Sequence, residues 1–158
     1  MKTIVVHLSE SNWTRQAVHL ACALARGSEG EVILLHLLRV DHISYLGLDI
    51  GMPTMSRSQY YEMLNYSGIA ESYGVKMTMT QMQCVDEMDA AAEAVVSLEA
   101  EAAFIHVPHS RIPYWRKFLL MRLKHTLAAH HCQLFTLDKP EPSNPLPTIK
   151  VRPSPLGK

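Results

Sequence analysis

Three histidines, His7, His106 and His109, stand in or just beyond short apolar runs. Imidazole nitrogens hold zinc or copper when roughly three or four protein ligands converge in tetrahedral geometry. These three are the most the pattern offers, and no Asp, Glu or Cys is placed to complete a set. Structural histidines, and no metal, are therefore expected. A second group is cationic: Arg111, Arg116, Lys117, Arg122 and Lys124 fall within fourteen positions, in a stretch from Ala102 to Leu137 that holds no acidic residue. Arg111 could bind an anionic group near a helix N-terminus, and Tyr114 and Trp115 could stack on a planar one. The plainer alternative is a solvated helix face balanced by Asp86, Glu87, Asp89 and Glu93.

Covalent and acid–base chemistry find little support. The chain has no G-x-S-x-G elbow, no H-E-x-x-H and no Walker loop, and no cysteine has an evident basic partner. Cys22, Cys84 and Cys132 are widely spaced without a CxxC pair, which fits buried small hydrophobes better than a disulfide framework or a zinc ribbon. Glu10 is a lone carboxylate suited to a helix N-terminus. No enzymatic activity and no cofactor are expected.

The elements that must position these residues can be read from periodicity. Thr3 to Leu8 is a β-branched run without strict alternation, as in a strand covered on both faces. N-cap candidates from Ser9 to Asn12 precede a helix with Trp13, Ala17, Leu20, Ala21 and Leu24 at helical spacing, ending near Gly27. Glu31 to Val40 is a second buried strand, followed by a loop, Asp41 to Met55, rich enough in apolar side chains to lie over something. A helix from Ser56 to Tyr73 stops at Gly74, though Ser67 and Gly68 weaken its middle. Val75 to Gln83 alternates like a strand near a sheet edge. Asp86 to Glu101 is an alanine-rich helix with Met88, Ala92, Val95 and Val96 on one side. Ala103 to Val107 is a strand, Trp115 to His130 a helix with Leu119, Leu120, Leu123 and Leu127 inward, and Gln133 to Leu137 a last strand. Such alternation implies right-handed crossovers and a mostly parallel α/β sheet with helices on both faces.

The 158 residues suit one domain, and 47% hydrophobic with 19% charged residues is ordinary for a globular chain. Fifteen basic and fifteen acidic side chains leave no global field toward nucleic acid or an anionic membrane, so any electrostatic preference must be local. The longest apolar runs are far short of the roughly 20 residues that span a bilayer, and no signal-peptide pattern precedes the first strand. A cytoplasmic protein with neither nucleic acid nor membrane as partner is expected. Six of nine prolines lie between Pro140 and Pro155. The chain therefore divides into an ordered domain, 1–138, and a Pro-rich tail, 139–158, expected to be extended unless a partner orders it.

Ile4 to Asn12 followed by Ala17 resembles the opening of universal stress proteins, where a hydrophobic strand ends in Asp-Gly-Ser before an alanine-rich helix. Val32 to Leu38 is similar to that family's Leu-Leu-His-Val strand, with His36 a residue the family also carries. A helix, Ala102 to Val107, a long connection and Gln133 to Leu137 resemble its last βαβ unit. The likeness covers about residues 2–138. It implies an open five-stranded parallel sheet of order 3-2-1-4-5, a Rossmann-like fold of the adenine nucleotide alpha hydrolase type, and a homodimer. It also implies, in the ATP-binding branch, an Asp ending the first strand and a G-x2-G-x9-G-[ST] motif after the fourth, whose glycines let backbone N–H groups approach phosphate.

Those residues are replaced here. Between Gly74 and Gly157 there is no glycine; Pro108 stands where the first should be, the closing Gly-[Ser/Thr] falls near Leu120, Met121 and Arg122, and Ser9 takes the place of the Asp. The family's crevice lies outside the carboxyl ends of the first and fourth strands, where strand order reverses. Its candidate lining here is Ser9, His106, Pro108, His109, Arg111 and Trp115. The expected function is that of a non-enzymatic, dimeric stress-response protein that binds a partner or a small ligand without the ATP phosphate loop. The Pro-rich tail, which includes Thr148 to Val151 as a possible added strand, could dock on that partner. The alternative is a nucleotide-binding stress protein with an altered pocket, Arg111 or Lys117 replacing the loop's contacts.

Overall fold

The computed structural model describes residues 2–43, 46 and 55–137. Helices and strands alternate throughout: β1 (Thr3–His7), α1 (Ser11–Ser28), β2 (Glu31–Arg39), α2 (Arg57–Tyr73), β3 (Met77–Cys84), α3 (Glu87–Ser97), β4 (Ala102–Phe104), α4 (Trp115–Ala129) and β5 (Gln133–Phe135). The strands form one sheet of order β3-β2-β1-β4-β5, and every pairing is parallel. The expected order and fold class are found.

Alternate residues of the central strands feed two cores, as the pleat requires. Ile4, Val6, Val32, Leu34 and Phe104 pack under α1 and α2. Val5, Ile33, Leu35, Ala103 and Ile105 pack under α3 and α4. A central strand buried on both faces must be apolar at nearly every position, which is why β1 and β2 show no alternation while the edge strand β3 does.

The helices are rotated from what the sequence suggested. Leu20 and Leu24 of α1 are exposed, and the buried stripe is Thr14, Ala17, Val18, Ala21, Cys22 and Ala25. In α3 the inward residues are Ala90, Ala91, Ala94 and Val95, with Met88, Ala92 and Val96 only flanking them. Small side chains let both helices lie close on the sheet, so alanines displaced larger residues from the contact. The helix α3 also ends four residues before Glu101: Leu98 caps it and Glu99 turns left-handed at φ 50°, freeing the chain to reach β4.

Gly27 does not stop α1. The helix runs through Ser28, Glu29 takes the left-handed conformation at φ 51°, and the glycine that matters is Gly30. A Cβ there would sit 2.4 Å from the Lys2 carbonyl oxygen, the acceptor of the Glu31 N–H that opens the β1–β2 pairing. At α2 the stop signal holds, since Gly74 is left-handed at φ 68° and Ser56 begins the helix with a capping box to Gln59. Cys22, Cys84 and Cys132 are buried free thiols, and burial pushes Cys22 and Cys132 up to about 11, leaving them unreactive at neutral pH. Most of the loop from Asp41 to Met55, and the tail from 138 onward, lie outside the described residues. Among the described residues no helix is long and apolar enough to cross a membrane.

Candidate functional site

The carboxyl ends of β1 and β4 open side by side, because β1 pairs with β4 on one flank and β2 on the other. Two short connections leave this point, 8–10 into α1 and 105–114 into α4. Each delivers one polar side chain to the junction: Ser9 Oγ lies 3.1 Å from His106 Nδ1, and both residues are partly buried. The Ser9 backbone N–H donates to Thr14 Oγ1 at 3.0 Å, and Thr14 is fully buried in the first turn of α1. Trp13 completes the cluster. Its ring packs edge-on against the His106 imidazole at 5.2 Å, and its Nε1 donates to the Thr136 carbonyl oxygen at 3.1 Å, just past β5. One helix start thus ties together the ends of β1, β4 and β5.

Of the six candidate residues, Ser9 and His106 are brought into contact. Pro108, His109 and Arg111 follow on the exposed part of the β4–α4 connection. Trp115, in the first turn of α4, is half-exposed and stacks on Phe118 at 5.7 Å. The sequence reading missed Trp13 and Thr14 as parts of this junction. The available signal was an indole and a hydroxyl in the first turn after the first strand, the turn a parallel α/β fold aims at the switch point.

The histidines do not form a cluster of ligands. His7 is in register with Leu35, so it points into the α3/α4 layer, whereas His106 contacts Ser9 and Trp13 at the start of α1. His36 Nδ1 meets Gln81 Nε2 at 3.3 Å on the neighbouring pair of strands, and His109 is exposed. Among the described residues no three His, Cys, Asp or Glu side chains converge on a metal position. His7 is 3% exposed and its Nδ1 has no hydrogen-bond partner. Burial lowers its pKa to about 4, helped by repulsion from His106 and His36. Burial also lowers His36.

Within the cationic group, Arg122 Nη2 pairs with Asp89 Oδ1 at 2.7 Å, so α3 does balance one of these charges as the plainer reading supposed. Lys117 Nζ lies 5.9 Å from the centre of the Tyr114 ring.

No protein-family model matches the chain, and no curated protein matches it by sequence. Solved structures do match. A universal stress protein in complex with cAMP aligns at TM-score 0.56 and 15% identity, over 87% of this chain and 96% of that one. A universal stress protein family member from Burkholderia pseudomallei aligns at 0.58 and 14%, over 86% and 95%. A universal stress protein from Archaeoglobus fulgidus in complex with dAMP aligns at 0.52 and 15%, over 86% and 97%. The fold is that of universal stress proteins, found at low sequence identity.

Proposed function

We propose that this chain is a non-enzymatic, homodimeric stress-response protein that binds a partner or a small ligand and does not hold ATP through a phosphate loop. One observation supports this above the rest: the hydrogen bond between Ser9 and His106, capped by Trp13. Where the family's ATP-binding branch has a carboxylate facing an adenosine, this chain has a hydroxyl already engaged within the protein. Bound to the imidazole, the hydroxyl keeps acceptor capacity, but it offers neither the charge nor the second oxygen of a carboxylate.

The connection after β4 adds to this. A glycine cradle works by converging backbone N–H groups on phosphate oxygens, while here a proline without an N–H follows Val107 and Ser110 Oγ takes the Ile112 N–H at 3.1 Å. A catalytic Ser–His pair is disfavoured on similar grounds, because a nucleophilic serine needs donors turned toward a developing oxyanion. The Ser9 N–H is occupied by Thr14.

A second reading is favoured by the cAMP and dAMP complexes of two structures with the same fold. Those ligands carry a single phosphate, so they make smaller demands on a phosphate loop, and Arg111 is exposed near the junction to supply charge. Equilibrium dialysis of the full chain against labelled ATP with magnesium, and separately against AMP, tests both. Retention of neither nucleotide supports the first reading, retention of AMP alone the second, and retention of ATP overturns the first. Sedimentation velocity on the same sample tests the dimer.

A further inference from the structure

The helix α4 is apolar on two sides. Leu123 and Leu127 are buried against the sheet, as a surface helix requires, but a second apolar strip runs along the outer side. Ile112 and Tyr114 lead into it at 62% and 79% exposure, and Trp115, Phe118 and Met121 continue it, the last at 69%. Trp115 and Phe118 stack on each other rather than turn inward. Arg111, Lys117 and Lys124, all exposed, flank the strip, and Lys117 lies near the Tyr114 ring. No acid occurs from Ala102 to Leu137. Asp89 and Glu93 line the cleft of about 320 Å³ between α3 and α4, where Asp89 already pairs with Arg122.

We propose that this outer strip of α4, with the 111–114 corner before it, is a docking surface for an anionic lipid bilayer. Aromatic and long apolar side chains beside lysines and arginine match the water–lipid boundary, where rings sit among headgroups and cations pair with anionic lipid. Surface attachment needs no spanning helix, and a net charge of zero leaves room for a local patch, since fields beyond a Debye length of about 8 Å are screened. The expectation that membranes play no part rested on that net charge and on the lack of a spanning run or signal-peptide pattern, none of which bears on attachment through a local surface patch. The proposal is independent of what fills the β1–β4 crevice.

Co-sedimentation of the full chain with phosphatidylcholine vesicles, with and without phosphatidylserine, tests it. The protein should pellet with the phosphatidylserine vesicles only, and added salt should release it. Each cation near an anionic surface contributes about fivefold in affinity, so Lys117→Gln with Lys124→Gln should weaken binding roughly 30-fold. Trp115→Ser with Phe118→Ser should abolish it, circular dichroism confirming that these exposed changes leave the fold intact. Pelleting with neither vesicle, as expected of a face made for a protein, overturns the proposal, as does equal pelleting with both. Dissociation of a dimer by the Trp115 and Phe118 changes also overturns it, assigning the face to a second copy.

Discussion

Ser9 Oγ and His106 Nδ1 stand 3.1 Å apart although 97 residues separate them in sequence. The contact exists because β1 and β4 are parallel neighbours whose carboxyl ends finish together. It ties the start of α1 to the end of β4.

Replacing Ser9 by alanine leaves the partly buried His106 ring without this hydroxyl. A hydrogen bond of this kind contributes about 1 kcal/mol net. The urea midpoint should fall accordingly with an unchanged m-value. An unaltered midpoint would show that the pair adds nothing to the fold.

Acid should destabilise the protein through His7. Its pKa is lowered to about 4 in the fold against 6.5 for the ordinary group, so between these values the unfolded chain binds the extra proton and the folded one does not. Stability is therefore full above about pH 6.5 and declines as pH falls toward 4, by up to about 3 kcal/mol if His7 acts alone. His36, also lowered, adds in the same direction. His7→Leu should flatten urea midpoints measured across this range. A slope equal to that of the unaltered protein would place the acid sensitivity elsewhere.

Leu127 is fully buried beneath α4, and Leu127→Ala should cost about 2–5 kcal/mol by lost burial and a cavity. Met121→Ala on the outer side of the same helix should change stability by less than about 0.5 kcal/mol. Equal losses at both positions would contradict the assignment of inner and outer faces.

The sequence made the architecture legible because runs such as Val32 to Leu38 reflect burial on both faces, and the Met–Thr alternation of β3 marks a strand at the sheet edge, though Met79 itself is exposed. Helix phase was not legible in α1 and α3. Alanine is compatible with either face, and only the close approach of helix to sheet decides that Ala90 and Ala94 turn inward while Leu20 and Leu24 turn out. Gly27 and Gly30 look alike in sequence, yet the constraint at Gly30 comes from the Lys2 carbonyl on another strand. The site was half legible. Ser9 and His106 could be placed at strand ends, but that they meet, that Trp13 covers them, and that His7 points to the opposite layer are consequences of register and pleat.

The most direct test of the central claim is a thermal shift of the full chain with millimolar ATP and magnesium. A ligand at 100 times its dissociation constant stabilises by about 2.7 kcal/mol, a shift of several degrees for a domain of this size. The account predicts that ATP leaves the melting temperature where it is, because no carboxylate ends β1 and no glycine cradle follows β4 to converge backbone N–H groups on phosphate. A clear upward shift with ATP would contradict it and make this chain a nucleotide binder that reaches phosphate by another route.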